Sequence, residues 1–270
     1  MLHANRSAFR RGTEMGLPRI EPHSHPARRT VKAILKPVYQ PVYHLGTGEI
    51  LYYEALARVK TDGARAHTRL IEMGEAMGFI ALVDLAMLDY AAAALEANPA
   101  AVVAVNVSGA TIDRAANEYL AEVFRRLSVA PRMVFELTET REIRDHRMLE
   151  CFLNAVTLLG AKVAADDYGS GYCTSEFVSR TRAHYVKLSG EVVAALAEGQ
   201  GRAELESLKE RLRAWGGELI AEHVDNARKA AAVGRLGIRY AQGFWVGDFV
   251  SDLRETLRLG AAPVGTPAAA

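Results

Sequence analysis

The chain has 270 residues, half of them hydrophobic, with a formal net charge of +1 and two cysteines. That length suits one large domain, and α/β barrels routinely use it. The near-balanced charge excludes a global field for a nucleic-acid polymer or a membrane surface, and two cysteines exclude a disulfide framework. No apolar run approaches the roughly 20 residues that span a bilayer, and the N-terminus lacks an apolar signal core, so a cytoplasmic protein without a membrane span is expected.

Residues 1 to about 30 scatter Arg6, Arg10, Arg11, Arg19, Arg28 and Arg29 among Gly, Pro, Ser and His with little apolar periodicity. They read as a flexible basic tail in which His23 and His25 are solvated. Residues 259–270, rich in Ala, Gly and Pro, read as a second disordered tail. The intervening domain, 31–258, alternates short apolar runs with amphipathic stretches. Strands are expected near 37–44, 50–58, 101–107, 132–138, 161–166, 184–188, 217–222 and 239–243. Most are rich in Val, Ile or Leu, as strands buried on both faces should be. Helices are expected at, among others, 81–97, 115–127, 147–159, 202–215 and 227–236. Only His44-Leu45-Gly46-Thr47-Gly48-Glu49 separates the first two strands. That is too short for a crossover helix, so they should pair as an antiparallel hairpin. The later β–α alternation argues for a parallel sheet. Eight strands in one domain point to an α/β fold: a TIM-type β/α barrel modified by an antiparallel first strand.

The C-terminal ends of barrel strands build the active face. Glu54, Asn106, Glu136, Asp166, Lys187, Glu222 and Gln242 all fall at or near such ends. Taken singly, each has a bland explanation. Glu54 could be a surface carboxylate, Asn106 a helix cap, Lys187 a solvated strand end, and Asp166-Asp167-Tyr168-Gly169-Ser170-Gly171 a turn. Their common placement is what the bland reading does not explain. Carboxylates gathered around one cavity cannot stay ionised together without compensating cations. Carboxylates with an Asn oxygen suit Mg²⁺ or Mn²⁺. The adjacent Asp166 and Asp167 suggest room for a second ion, and paired ions of this kind activate water and stabilise phosphoryl transition states.

These residues resemble a known family. Tyr39-Gln40-Pro41-Val42, Glu54-Ala55-Leu56 with Arg58, Val105-Asn106-Val107-Ser108, Glu136-Leu137-Thr138-Glu139, the Asp-Asp motif through Tyr172, Val186-Lys187-Leu188, Ala221-Glu222 and Gln242-Gly243-Phe244 follow in order. Over roughly residues 33–250 the chain looks like an EAL domain, the family of cyclic di-GMP phosphodiesterases. The resemblance implies hydrolysis of cyclic di-GMP to pGpG with one or two Mg²⁺ or Mn²⁺ ions. Glu54, Asn106, Glu136 and Asp166 would bind one ion, and Asp166 with Asp167 the second. Lys187 would orient the attacking water, and Glu222 would complete the network or act as base. Gln40 and Arg58 would contact the nucleotide, supported by Gln242, and Glu139 would tether the loop carrying Asp167. A homodimer and a regulatory protein partner are further expectations.

The sequence departs from the family pattern at three places. Ser189 stands where an Asp follows the lysine, His223 where a Gly follows the glutamate, and Asp225 where a Glu is usual. Loss of the acid at Ser189 removes a partner for Lys187. The alternative function is therefore a weakly active or inactive EAL domain serving as a cyclic di-GMP receptor or protein-interaction module. A nucleic-acid-binding barrel has little support, since the basic tail lacks interleaved aromatics.

Overall fold

A computed structural model describes residues 26–60, 66–138 and 141–254. The chain runs α1 (Pro26–Ile34), β1 (Leu35–His44), β2 (Ile50–Val59), α2 (Ala66–Met77), α3 (Ile80–Ala97), β3 (Val103–Ser108) and α4 (Gly109–Phe124). It continues through β4 (Met133–Thr138), α5 (His146–Leu158), β5 (Lys162–Tyr168), α6 (Ser175–Thr181), β6 (Tyr185–Leu188), α7 (Gly190–Ala197) and α8 (Arg202–Arg213). The last elements are β7 (Glu218–Ala221), α9 (Ala227–Arg235) and β8 (Tyr240–Ala241).

The strands close into one barrel in sequence order. β1 is antiparallel to both neighbours, β2 and β8, and every other pair is parallel. The five-residue link between the first two strands produces the expected hairpin. Closure against β8 is narrow, resting on Tyr43↔Ala241 and His44↔Tyr240, with a bridge between Tyr39 and Val250 further along. Pro37 and Pro41 cannot donate to a ladder, and β1 tolerates them because its β8 side is so sparsely paired.

Side-chain alternation along the strands builds three shells. Outward residues such as Tyr53, Val105, Phe135, Ala165, Val186 and Leu219 join the large core beneath the helices. Inward residues Val42, Tyr52, Ala104, Val134, Ala164, Tyr185 and Ile220 form an apolar floor inside the barrel. On β2 to β7, two residues past each floor position, stand Glu54, Asn106, Glu136, Asp166, Lys187 and Glu222. Gln40 precedes Val42 by the same step on antiparallel β1. The period of two thus delivers one polar ring above one apolar layer.

The surrounding helices hold this ring in register. Phe135 on β4 meets Phe152 on α5 and Tyr119 on α4, with ring centroids 5.8 and 6.2 Å away. Such aromatic pairs contribute about 0.5–1.5 kcal/mol each beyond area burial. Phe135 is the neighbour of Glu136, so the cluster fixes a strand that carries site chemistry.

Two sequence expectations need correction. The tail ends earlier than expected, because residues 26–30 belong to α1. Arg28 is buried and bridges Asp89 on α3 at 2.7 Å and Glu122 on α4 at 3.3 Å. The Pro-Ala-Arg-Arg-Thr context of Arg28 carries no local sign of carboxylates over sixty residues away. Helix α4 begins at Gly109 rather than 115, because the Ser108 side chain accepts from Thr111 N and caps it. A kink at Ala115 (φ −139°) breaks the helical period where the expected start was placed. The remainder of the basic tail, including His23 and His25, Glu139, and the 259–270 tail lie outside the described residues.

Candidate active site

The polar ring closes around one ammonium group. Lys187 Nζ lies 2.8 Å from Glu136 Oε2, 3.0 Å from Asp166 Oδ1, 3.0 Å from Glu222 Oε1 and 3.1 Å from Glu54 Oε2. These side chains come from β6, β4, β5, the end of β7 and β2. Lys187 is 1 % exposed and Glu136 fully buried, so both are held away from bulk water. Lys187 is therefore the hub of the site, the opposite of a solvated strand end.

Amide groups complete the ring. Asn106 Nδ2 donates to Glu54 Oε1 at 3.1 Å. Gln242 Nε2 donates to Glu54 Oε2 at 2.7 Å and to Gln40 Oε1 at 3.3 Å. Gln40 lies opposite Glu54 in the β1–β2 register, which explains its presence there.

Four carboxylates face one ammonium, and the electrostatics reflect that imbalance. Burial raises Glu136 well above the usual carboxylate range, and the Glu54 charge raises it further. Burial pushes Glu222 up to about 8 and raises Asp166. Burial also works against ionised Glu54, but Lys187 and the donors on Gln242 and Asn106 outweigh it and hold Glu54 low. Burial would lower Lys187, yet the surrounding carboxylates keep it charged well above the ordinary lysine range. A single ammonium cannot compensate the whole ring.

Among the described residues, no three acidic, imidazole or thiol groups form a ready-made cation cage. The convergence point is taken by Nζ instead. The donor chemistry nevertheless fits a hard divalent ion. The buried oxygen Asn106 Oδ1 has no hydrogen-bond partner, and every candidate ligand is a carboxylate or amide oxygen.

A bulge brings the second aspartate to the same mouth. Adjacent residues on a regular strand would point to opposite faces. Here the β5–β6 register shifts between Ala165 and Tyr168, and Asp167 adopts a left-handed φ of 59°. As a result Asp166 and Asp167 both line a cavity of about 550 Å³, with Asn106, Arg58, Ser170 and Tyr172. Asp167 is exposed and is not among the four carboxylates paired with Lys187. On the other side of the ring Gln40, Glu222, Gln242, His223, Phe244 and Phe249 line a cavity of about 240 Å³.

The departures from the family pattern have structural explanations. Ser189 does not touch Lys187. It caps α7 by accepting from Val192 N at 3.3 Å. Ser108 does the same for α4, two residues beyond Asn106. Ser and Asp are interchangeable caps, and Lys187 has four other acidic partners, so the expected loss of a restraint does not arise. His223 has φ 51°, a conformation that favours glycine. Its ring lies over Gly190, where an added Cβ would come within 2.9 Å of the imidazole. Gly243 is required next to it, because a Cβ there would be 2.5 Å from the backbone of Val224. Asp225 pairs with Lys229 at 2.9 Å and lines the smaller cavity beside Glu222.

Sequence reasoning overlooked two aromatic neighbours. The Arg58 guanidinium stacks on Phe249 at 5.0 Å from the ring centroid, and Phe249 meets Phe244 edge-on at 5.6 Å. Nothing in the residues around Phe249 announces this, since 191 positions separate the pair. Tyr52 reads as ordinary strand core, although it lies directly below Glu54 inside the barrel.

Comparison with known proteins agrees with this architecture. Residues 28–248 match the EAL domain. The chain is 29% identical over 220 residues to the cyclic di-GMP phosphodiesterase PdeB of Shewanella oneidensis, covering 77% of this chain and 26% of that protein. It therefore spans about a quarter of that relative's length. The Xanthomonas citri FimX EAL domain, solved in complex with c-diGMP, superposes with a TM-score of 0.71 at 18% identity, over 83% of this chain and 91% of that one. Klebsiella pneumoniae BlrP1, solved as a manganese/cy-diGMP complex, gives a TM-score of 0.66 at 22% identity, over 80% and 56%. The structural likenesses, at these identities, speak for the fold. The sequence match runs from Arg28, the residue that ties α1 to the barrel, to Asp248 beyond β8, and by it this chain belongs to the EAL domain family.

Proposed function

We propose that this chain is a metal-dependent phosphodiesterase that hydrolyses cyclic di-GMP to linear pGpG. The observation that carries the proposal is the convergence of Glu54, Glu136, Asp166 and Glu222 on the single cation Lys187. Such an excess of buried oxygen anions repels an anionic phosphodiester unless further positive charge is bound. Glu54, Asn106, Glu136 and Asp166 would hold one Mg²⁺ or Mn²⁺, and Asp166 with Asp167 a second. Bound there, the ion would supply Lewis-acid activation of water and offset charge at phosphorus. The manganese/cy-diGMP complex of BlrP1 supports this reading.

The protein's own groups would divide the remaining work. Lys187 would donate to the attacking water and fix its approach. Glu222, half-buried and raised to about 8, would exchange a proton with it. Arg58, steadied by Phe249, would grip a phosphate, with Gln40 and Gln242 contacting the nucleotide from the opposite wall. The larger cavity, about 550 Å³, has room for one purine. A cytoplasmic setting, a homodimeric state and a regulatory protein partner belong to the same proposal, by family resemblance.

Purified protein incubated with cyclic di-GMP and analysed by chromatography tests this. We expect pGpG with Mg²⁺ or Mn²⁺, none in chelator, and inhibition by Ca²⁺, whose longer bonds misplace the water. Undiminished turnover in chelator would overturn the metal reading. Tight binding with no turnover under any cation would transfer the protein to the receptor class.

A further inference from the structure

The floor of the barrel contains a buried hydroxyl that no local rule explains. Tyr52 is 1 % exposed, faces inward from β2 within the apolar floor, and its hydroxyl has no hydrogen-bond partner. An unpaired buried hydroxyl costs about 1–3 kcal/mol; phenylalanine would fill the same space without that cost. A tyrosine here needs an acceptor.

The register indicates where the acceptor is. Tyr52 packs on Tyr185 at 5.5 Å between centroids. Tyr185 pairs with Ala164, and Ala164 pairs with Glu136. The row that meets the Tyr52 ring is therefore the row of Glu136. The small side chains of Ala104 and Ala164 leave room for the two rings. Glu136 in turn has one oxygen committed to Lys187, at 2.8 Å, while Oε1 is buried and without a partner. One donor and one acceptor, both buried and both unsatisfied, thus lie in adjoining layers of the same barrel interior. Glu136 is also among the groups that raise the Tyr52 phenol, after burial.

We infer that Tyr52 is a positioning residue for the site: its hydroxyl donates to Glu136 Oε1 and turns the carboxylate so that Oε2 faces the mouth of the barrel. It touches neither substrate nor the reacting atoms. The inference rests on the proposed function, because a fixed carboxylate orientation matters only if Glu136 serves as a ligand. Partners of this kind typically change metal affinity by about 10–100-fold.

Tyr52→Phe keeps the ring and removes the donor. Tyr185→Phe is the control: its hydroxyl already has a partner, accepting from Lys162 Nζ at 2.8 Å. Mn²⁺ binding by calorimetry, thermal melts without metal, and steady-state kinetics at saturating Mn²⁺ should be run on both variants. We expect Tyr52→Phe to weaken Mn²⁺ affinity by roughly tenfold or more and to lower Tm by about 2–6 °C, with KM for cyclic di-GMP at saturating Mn²⁺ nearly unchanged. Tyr185→Phe should leave Mn²⁺ affinity within about twofold. A Tyr52→Phe protein with wild-type Mn²⁺ affinity and an equal or higher Tm would overturn the inference, as would equal losses of affinity in both variants. If the wild-type protein binds Mn²⁺ but does not hydrolyse cyclic di-GMP, the phosphodiesterase reading fails while the Mn²⁺ titrations still decide the role of Tyr52.

Discussion

Among the described residues two ion clusters are built on opposite plans. Outside the barrel, Glu122 and Asp89 sit between α1, α3 and α4. Arg28 and Arg126 contact both of them, Arg125 reaches Glu122, and Lys32 reaches Asp89. Anions there are fully matched by cations. Inside the barrel, four carboxylates share Lys187 alone. Both clusters incur desolvation, which is offset only where charges are paired and hydrogen-bonded. The matched cluster can therefore serve structure, docking the N-terminal helix. The unmatched one retains an unmet demand for positive charge, as a site for cations and anionic substrates requires.

The largest expected effect that separates the two is on activity. Glu136→Gln removes one candidate ligand from the inner ring while keeping its shape. Turnover of cyclic di-GMP should fall by about a thousandfold or more, while Tm without metal stays nearly level, because burial already favours the neutral form of Glu136 there. Near-normal turnover would mean that the ring is not the reaction centre. A large fall in Tm would mean that its charges are structural after all.

The mirror experiment is Glu122→Gln in the matched cluster. Glu122 is fully buried, so Arg28 and Arg126 would lose a compensating charge. Breaking such a pair costs about 3–5 kcal/mol, visible in urea unfolding, with Mn²⁺ affinity unchanged. A variant as stable as the parent would show that α1 is held by packing instead.

A smaller effect concerns Asp84, a buried carboxylate with no cation among its partners. Its Oδ2 accepts from Ser108 N, Ser108 Oγ and Thr111 Oγ1 at 2.9, 3.0 and 2.6 Å, anchoring the corner just beyond Asn106. Burial raises it from 3.8 to about 6, and the charge of Glu75 adds to the rise. A carboxyl raised in the folded state binds its proton more tightly there than in the unfolded chain. Stability should therefore fall as pH rises from about 4 to about 6, by at most about 3 kcal/mol, and stay flat above. Asp84→Asn keeps an acceptor and should remove that slope. An unchanged slope in the variant would assign it to other groups.

Much of the fold was legible because it depends on local pattern. Inward residues recur at every second position, so the step from Tyr52 to Glu54, from Val134 to Glu136 and from Tyr185 to Lys187 already separates the floor from the ring. The short link after His44 dictated an antiparallel start, and the β–α alternation dictated the parallel remainder. Three contacts were not legible: Lys187 at the centre of the carboxylates, Arg28 between α3 and α4, and Arg58 on Phe249. Each joins residues far apart in the chain, and the distance between them is set by strand twist and by closure of β1 on β8. The same holds for the apparent anomaly at Ser189, whose capping role emerges only when Lys187 is seen to have other partners. Alternation along a strand decides which face a side chain occupies; only closure of the barrel decides which side chains meet across it.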